Sequence, residues 1–532
     1  MARRSVLLLT LASAFAPFAW ANAGSPAWHF TDVTAAAGAS AQFRFEFGYT
    51  QTRDMMPAGV AAGDIDNDGD IDLVVPQGDY LPLRLLRNRG DGSFESAAAQ
   101  HGLNLFGDVA AGAMLADLDG NGFLDLVLTG IRGFGIRLYL NNAGQFSEAT
   151  LSWGLSTAVM DSYSAAAADV DGDGRLDLAV SHWDNTNSWP GHAGHLWKNN
   201  GTSFSDISTS AGLGVLQSSL DLSFTPILAD MDGDHLPDLM MASDFLTTRA
   251  FRNLGNGQFT AWDDSQFDDE NGMGADVGDF DNDGDLDWFV SSIYDPAGIP
   301  IAGQGITGNR LYRNDGAGVF TDVSESAGVR QGFWGWGSCM ADFNLDGWLD
   351  IFHVNGMPFQ SHPVFGSDPA RLFVNQGNGT FTEQSVALGV ADTGQGRAVA
   401  CFDHDRDGDI DIYLVNNEGV AHLFRNDIDV SQKGLGVALR QPGPNSQAVG
   451  AELRLRLGNA VLYQVMLAGR GFQASSPTEA HFGLGTSSHA DTLDIRWPDG
   501  RTTRISYPAA QGLLVIGDPD MIFGQSMDGP AP

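Results

Sequence analysis

"ADVDGDGRLDLAV" spans residues 168–180 and places four aspartates, Asp169, Asp171, Asp173 and Asp177, within nine positions. Four unpaired negative charges on so short a loop repel one another. A single copy could be an acidic turn. The pattern, however, returns six more times, at intervals of 49 to 63 residues, in a chain of 532 residues. A chain of that length with a recurring unit is read as a repeat architecture.

Aligned on the first aspartate, the loops cover 64–72, 117–125, 169–177, 230–238, 279–287, 342–350 and 403–411. Position 1 is Asp64, Asp117, Asp169, Asp230, Asp279, Asp342 and Asp403. Position 3 is Asp66, Asp119, Asp171, Asp232, Asp281, Asn344 and Asp405, and position 5 is Asp68, Asn121, Asp173, Asp234, Asp283, Asp346 and Asp407. Position 9 is Asp72, Asp125, Asp177, Asp238, Asp287, Asp350 and Asp411. Every one of these sites keeps a side-chain oxygen. Position 6 is glycine except for His235, as expected where the backbone needs positive φ. Position 7 varies freely (Asp70, Phe123, Arg175, Leu236, Asp285, Trp348, Asp409), so only its carbonyl is expected to matter.

Alternating oxygen ligands, a glycine bend and a free carbonyl match the front half of a calcium loop. Magnesium, which retains several waters in a strict octahedron, suits the pattern less well. An EF-hand would be flanked by helices and would take Glu at position 12. Here the flanks are short apolar runs such as "GVAAG" and "LAV", which read as strands. The loops hold 29 of the 66 acidic residues, and seven Ca²⁺ would take the net charge from −38 to about −24. Such an acidic balance disfavours nucleic acid as a partner.

A hairpin follows each loop, for example "LYRNDGAGVFTDV" (311–323) and "LFVNQGNGTFTEQ" (372–384), with Asn/Gly at the turn. Two strands around the loop and two around the turn make a four-stranded sheet, and seven such sheets placed radially make a β-propeller. The seventh copy stops at "LFRND" (423–427) and lacks a closing strand, while "FTDVTAAAG" (30–38) stands alone near the N-terminus. The expectation is an all-β, seven-bladed propeller over 24–432 whose N-terminal strand completes the last blade. The triplet Arg89-Gly90-Asp91 in the first hairpin is read as an ordinary turn.

Arg3 and Arg4, an apolar run and "ANA" (21–23) read as an export signal over 1–23, and no later run is long enough to span a bilayer. The expected location is secreted or periplasmic. Cys339 and Cys401 each precede an acidic loop. A disulfide between them is open in an oxidising compartment, but the reading adopted is two small buried residues. From 433 to 517 alternating apolar and polar residues with Pro/Gly breaks read as a small β-sandwich, followed by a tail over 518–532.

The loops with their hairpins resemble the FG-GAP/VCBS repeats of integrin α-subunit propellers and of many exported bacterial proteins. "VGAELRL", "GRGFQASSPTEAHFGLG" and "LDIRWPDG" look like an ASPIC/UnbV domain, and the combination is similar to the cartilage acidic protein family. The resemblance implies a calcium-bound extracellular propeller used for recognition or adhesion. It supplies no catalytic residue. His235 and Asn344 depart from the loop pattern, which marks copies 4 and 6 as the expected weak sites.

Function is expected on the rim opposite the calcium loops, where the connections in blades 3, 5 and 6 are long. The blade 3 connection holds His182, Trp183, Asp184, Trp189, His192 and His195. Exposed tryptophans would suit a glycan or an extracellular protein, and three histidines would suit a transition metal. The alternative reading is a polysaccharide-active, lyase-like enzyme, with His182, His353 and His362 as acid/base candidates. No constellation of nucleophile and base supports it in sequence, so the non-enzymatic binding module is preferred.

Overall fold

The structure is a computed structural model that describes residues 28–518 apart from 156–159, 185–193, 217–220, 301–305, 359–362, 430 and 511. The expected leader and nearly all of the tail therefore lie outside the described residues. Strands dominate, with two α-helices of four residues each and four short 3-10 turns among the described residues. The architecture is all-β, with propeller-type units built as the repeat implies.

One unit shows the construction. Gly335–Ala341, Asp350–Asn355, Arg371–Asn375 and Phe381–Glu383 pair successively as an antiparallel meander. The acidic loop joins the first strand to the second, and the Asn/Gly turn joins the third to the fourth. Among the described residues four-stranded meanders of this kind recur around the ring, two of them joined edge to edge in one eight-stranded sheet. First strands such as Ala110–Ala116 and Ser162–Ala168 are rich in Ala, Gly and Ser and are buried along their whole length. Small side chains are required there because these strands converge around one axis. Each first strand packs on the next, and Gly396–Phe402 packs back on Val60–Gly63. Fourth strands such as Phe381–Glu383 bury only the leading phenylalanine.

The N-terminal strand His29–Asp32 pairs antiparallel with His422–Asp427 and supplies the fourth strand of the last unit. Trp28 Nε1 donates to Asn426 Oδ1 at 2.8 Å across the join.

A second set of bonds runs around the ring. The asparagine that ends each third strand donates its Nδ2 to two carbonyls, one in its own metal loop and one in the loop of the preceding unit. Asn375 bonds Leu349 O (3.0 Å) and Phe280 O (2.9 Å), and Asn199 bonds Leu176 O (3.1 Å) and Leu118 O (2.8 Å). Asn88 of the first unit bonds Ile71 O and, at 2.8 Å, His404 O of the last. The same pair of bonds is made by Asn141, Asn253, Asn314 and Asn426, so the latch runs unbroken around the circle.

Cys339 and Cys401 are joined in a disulfide, with Cα atoms 6.5 Å apart. This corrects the reading of two separate small residues. Both lie on first strands, and the first strands of neighbouring units run side by side.

Beyond the ring, Gly434–Arg440 pairs with Ala480–Gly483 and Leu513–Gly517, while Glu452–Leu457 pairs with Ala460–Val465 and Thr492–Arg496. The two sheets enclose Leu435, Leu453, Phe482 and Trp497 as their own core. The segment between Ala460–Val465 and Ala480–Gly483 leaves this sandwich and enters the bore of the propeller. Phe472 is fully buried there against Tyr163, Phe224 and Trp336, with ring centroids 5.2–6.2 Å away. Gln473 N donates to Ser164 Oγ at 2.9 Å, and its Oε1 accepts from Ala58 N at 2.8 Å. Ala474–Ser475 adds in parallel to the first strand Val60–Gly63.

Two outcomes follow. Asn375→Ala leaves two buried carbonyls without a donor, and denaturant unfolding is expected to show a loss of about 2–3 kcal/mol. Phe472→Ala empties the bore between three aromatic rings, and the same measurement is expected to show a loss of about 3–5 kcal/mol.

Candidate metal centres

The nine-residue loop winds by hydrogen-bonding to itself. In the third copy Asp169 accepts from the backbone N–H groups of Gly172 (2.9 Å), Asp173 (3.1 Å) and Gly174 (2.8 Å). Asp173 Oδ1 accepts from Arg175 N at 3.1 Å. Asp177 accepts from Val170 N (3.0 Å) and from the latch residue Asn199 (N, 2.8 Å). The position 9 carboxylate therefore ties the loop to its own hairpin in addition to facing the other acids. Comparable bonds recur in the other copies, as at Asp342 and Asp350.

These bonds use one side of each carboxylate and turn the others towards each other. Carboxylate oxygens of Asp64, Asp66 and Asp68 lie within 4.8 Å of one another, as do those of Asp117, Asp119 and Asp125, and of Asp169, Asp171 and Asp177. The position 3 oxygens Asp66 Oδ1, Asp171 Oδ1, Asp281 Oδ1 and Asp405 Oδ1 are buried without a hydrogen-bond donor. A buried anionic oxygen with no donor is costly, and a cation removes the cost. An all-oxygen donor set with a free carbonyl at position 7 fits a hard divalent cation of the calcium class.

Burial is the main cause of the raised carboxyl pKa values in these loops. It lifts Asp72, Asp125 and Asp238 at position 9 to about 8 and Asp177 to about 7, against the backbone bonds that pull them down. Asp287 and Asp350 are pushed well above the usual range, also by burial. At position 1, Asp64 rises to about 6, Asp279 to about 7 and Asp403 to about 8.

The C-terminal sandwich sits on this loop face. Arg406 of the seventh loop pairs with Glu479 at 2.8 Å, and His481 Nε2 lies 3.0 Å from Gly408 O. His235, at a position of positive φ (69°), reaches Glu452 of the sandwich with Nδ1 2.6 Å from Oε1. The residue that breaks the glycine rule in copy 4 is thus an interdomain contact.

The blade 3 residues behave differently from the sequence reading. His182 and His195 do come together, with ring centroids 5.0 Å apart, but both are buried. His182 has Nδ1 3.0 Å from Ser162 Oγ and Nε2 3.2 Å from Gly194 O, and burial lowers it to about 4. His195 Nε2 lies 2.8 Å from Asp221 Oδ2. Burial works against its charge, and Asp221 outweighs it. Trp183 is 4% exposed, stacks on Phe224 and donates to Asp244 at 3.2 Å. The strand Asp177–Asp184 runs on into what looked like a loop, which is why these side chains face inward. Asp184 ends that strand, whereas Trp189, His192 and His362 lie outside the described residues. His353 is buried in a strand beside Asn309 and is lowered to about 3 by burial. His182 and His353 therefore do not form an accessible acid/base pair.

The model of the FG-GAP-like repeat matches residues 64–128, 129–180, 230–290, 301–353 and 364–414, over half of the chain. The chain belongs to the FG-GAP-like repeat family. The ASPIC and UnbV model matches residues 441–522 of this FG-GAP-like protein, which places that domain on the loop face. Among curated proteins it is similar to cartilage acidic protein 1 of Xenopus tropicalis, 24% identical over 485 residues, covering 83% of this chain and 70% of that one. The Mus musculus protein of the same name is 24% identical over 505 residues, covering 88% and 74%. Among solved structures, YCF48 bound to a D1 peptide aligns with a TM-score of 0.41 and 9% identity, over 73% of this chain and 96% of that one. The exotype rhamnogalacturonan lyase YesX aligns with a TM-score of 0.32 and 12% identity, over 90% and 91%.

The raised carboxylates set the pH response of the cation-free protein. Each is protonated more readily in the fold than in the unfolded chain, where its pKa is near 4, so its contribution is full below about pH 4 and is lost as pH rises through its folded value. With chelator present, the melting temperature is expected to fall between about pH 4 and pH 8, and excess calcium is expected to flatten that slope. A melt in chelator that does not change with pH would contradict this account of the loops.

Proposed function

We propose that this FG-GAP-like protein is an exported, calcium-stabilised recognition module. It would hold a glycan or an extracellular protein on the face opposite the metal loops, with calcium in a structural role. The observation that carries this reading is the position of the C-terminal domain. It covers the loop face and fills the bore with Phe472, which leaves the opposite face as the broad surface for a partner.

That face has the chemistry for contact. The segment 42–50 crosses it: Phe43 N donates to Gly419 O at 3.1 Å, and Arg44 N donates to Gln77 O at 3.1 Å. It brings Phe47, 80% exposed, beside the connections that carry Tyr80 and Val420, both about half exposed. Arg44 lies over the Tyr80 ring at 5.5 Å. Exposed aromatic faces next to a guanidinium suit a sugar ring or an apolar side chain with an acidic neighbour. No described residue set supports the lyase-like alternative, since two of its three histidines are buried.

Export is supported by the leader-like sequence at 1–23 and by the disulfide. No helix among the described residues is long and apolar enough to cross a membrane.

The reading is tested by passing the native protein and the double variant Phe47→Ala/Tyr80→Ala over immobilised polysaccharides and matrix proteins. A ligand retained by the native chain is expected to be held about tenfold more weakly by the double variant at an unchanged melting temperature. Undiminished binding by that variant, together with weaker binding by Tyr507→Ala on the C-terminal domain, would move the site to the other domain.

A further inference from the structure

The metal loops differ in acid content, and a residue outside the loops differs with them. Five loops, the first, third, fourth, fifth and seventh, carry aspartate at positions 1, 3, 5 and 9. The residues directly before their latch asparagines are Arg87, Lys198, Arg252, Arg313 and Arg425. The second and sixth loops carry three aspartates and one asparagine, Asn121 or Asn344. The residues at the same point of their third strands are Leu140 and Val374. Position 7 is read as a carbonyl ligand and its side chain is left out of this count, although Arg175 there lies 3.6 Å from Asp173 Oδ2. Over positions 1, 3, 5 and 9 and the residue before the asparagine alone, four acids with one base and three acids with none each sum to −3.

The geometry shows contact as well as correlation. Arg87 Nη2 lies 2.8 Å from Asp68 Oδ2 and also touches Asp66. Lys198 Nζ lies 2.9 Å from Asp173 Oδ2 and also touches Asp171. Arg252 Nε lies 2.7 Å from Asp232 Oδ2. Arg87 and Lys198 thus span positions 3 and 5, and Arg252 reaches position 3. Arg313 and Arg425 bond Asp315 and Asp427 first, and feel Asp281 and Asp405 over a longer distance. Leu140 and Val374 instead pack against the hydrophobic interior.

We propose that the side chain before each latch asparagine is the built-in counter-charge of its metal loop, present where the ligand positions carry four aspartates and absent where they carry three. The inference rests on the calcium reading of the loops. A base bonded to the outer oxygens of positions 3 and 5 orients those carboxylates and lowers their mutual repulsion, as an outer-shell partner does. Affinity in oxygen-ligand sites follows ligand charge. A loop with one asparagine is then not a weak site, which revises the expectation for the sixth loop at Asn344.

The test is a charge swap in the second loop. Bound calcium per chain is measured by equilibrium dialysis at fixed free calcium on the full mature chain, together with the melting temperature. Leu140→Arg takes the loop to −2 and is expected to weaken that site about tenfold, seen as the loss of one ion per chain. Asn121→Asp in the same chain returns the loop to −3 and is expected to restore the ion. In the third loop Lys198→Leu is expected to shift binding the other way, towards lower free calcium. Native stoichiometry in Leu140→Arg, or a double variant that binds no better than Leu140→Arg, overturns the counter-charge. If the native chain binds no calcium at all, the calcium reading fails and the counter-charge fails with it. Native binding with unresponsive variants overturns the counter-charge alone.

Discussion

Each repeat buries one carboxylate where its loop rejoins the sheet, and the other contacts of the ring are arranged around that group. Asp177 and its six counterparts accept a backbone N–H from position 2 of the loop and another from the asparagine at the end of the third strand. A buried acid without such donors would cost several kcal/mol. The two donors fix how far the hairpin sits from the loop. The asparagine so placed then has its amide free to reach the preceding repeat. One interaction therefore sets the geometry inside a unit and the spacing between units.

The same concentration of acid makes the loop face unsuitable as an open surface of the protein. The C-terminal sandwich packs on it through the loops' few basic groups, with Glu479 on Arg406 and Glu452 on His235, and places His481 beside the Gly408 carbonyl. The segment carrying Phe472 goes further and occupies the axis, where the converging first strands leave a gap that their own small side chains do not fill. Cap and core filler are one piece of chain. The two structural roles of the C-terminal domain explain why its sequence departs from a plain sandwich between Val465 and Ala480.

Oxygen-bearing side chains recur at fixed spacing, so the seven acidic loops were legible position by position. The closing strand was legible too, because "FTDV" is spelled at 30–33 and again at 320–323. The latch asparagines were in plain view but read only as turn formers, since their second bond goes to a neighbouring repeat and no local pattern reports it. The disulfide depended on two first strands being adjacent, which spacing alone does not tell. Phe472 sits in an alternating stretch that looks like any other strand. Trp183 and His195 were misjudged for a related reason: a polar-looking run was taken for an exposed loop, when Ser162, Asp221 and Asp244 were waiting in the interior to pair with it.

The placement of the closing strand has a consequence for how the molecule comes together. Trp28 and Asn426 are 398 residues apart, so the strand made first has no partner until nearly the whole ring has been synthesised. Contacts of such separation form late and slowly. Once made, His422–Asp427 presents a bare edge until the N-terminal strand docks, and bare edges are templates for any strand of matching sequence. The best match in solution is the N-terminal strand of another copy. Exchange of that strand between chains is therefore the characteristic hazard of this ring at high concentration, and it would yield dimers in which each last unit is complete but borrowed.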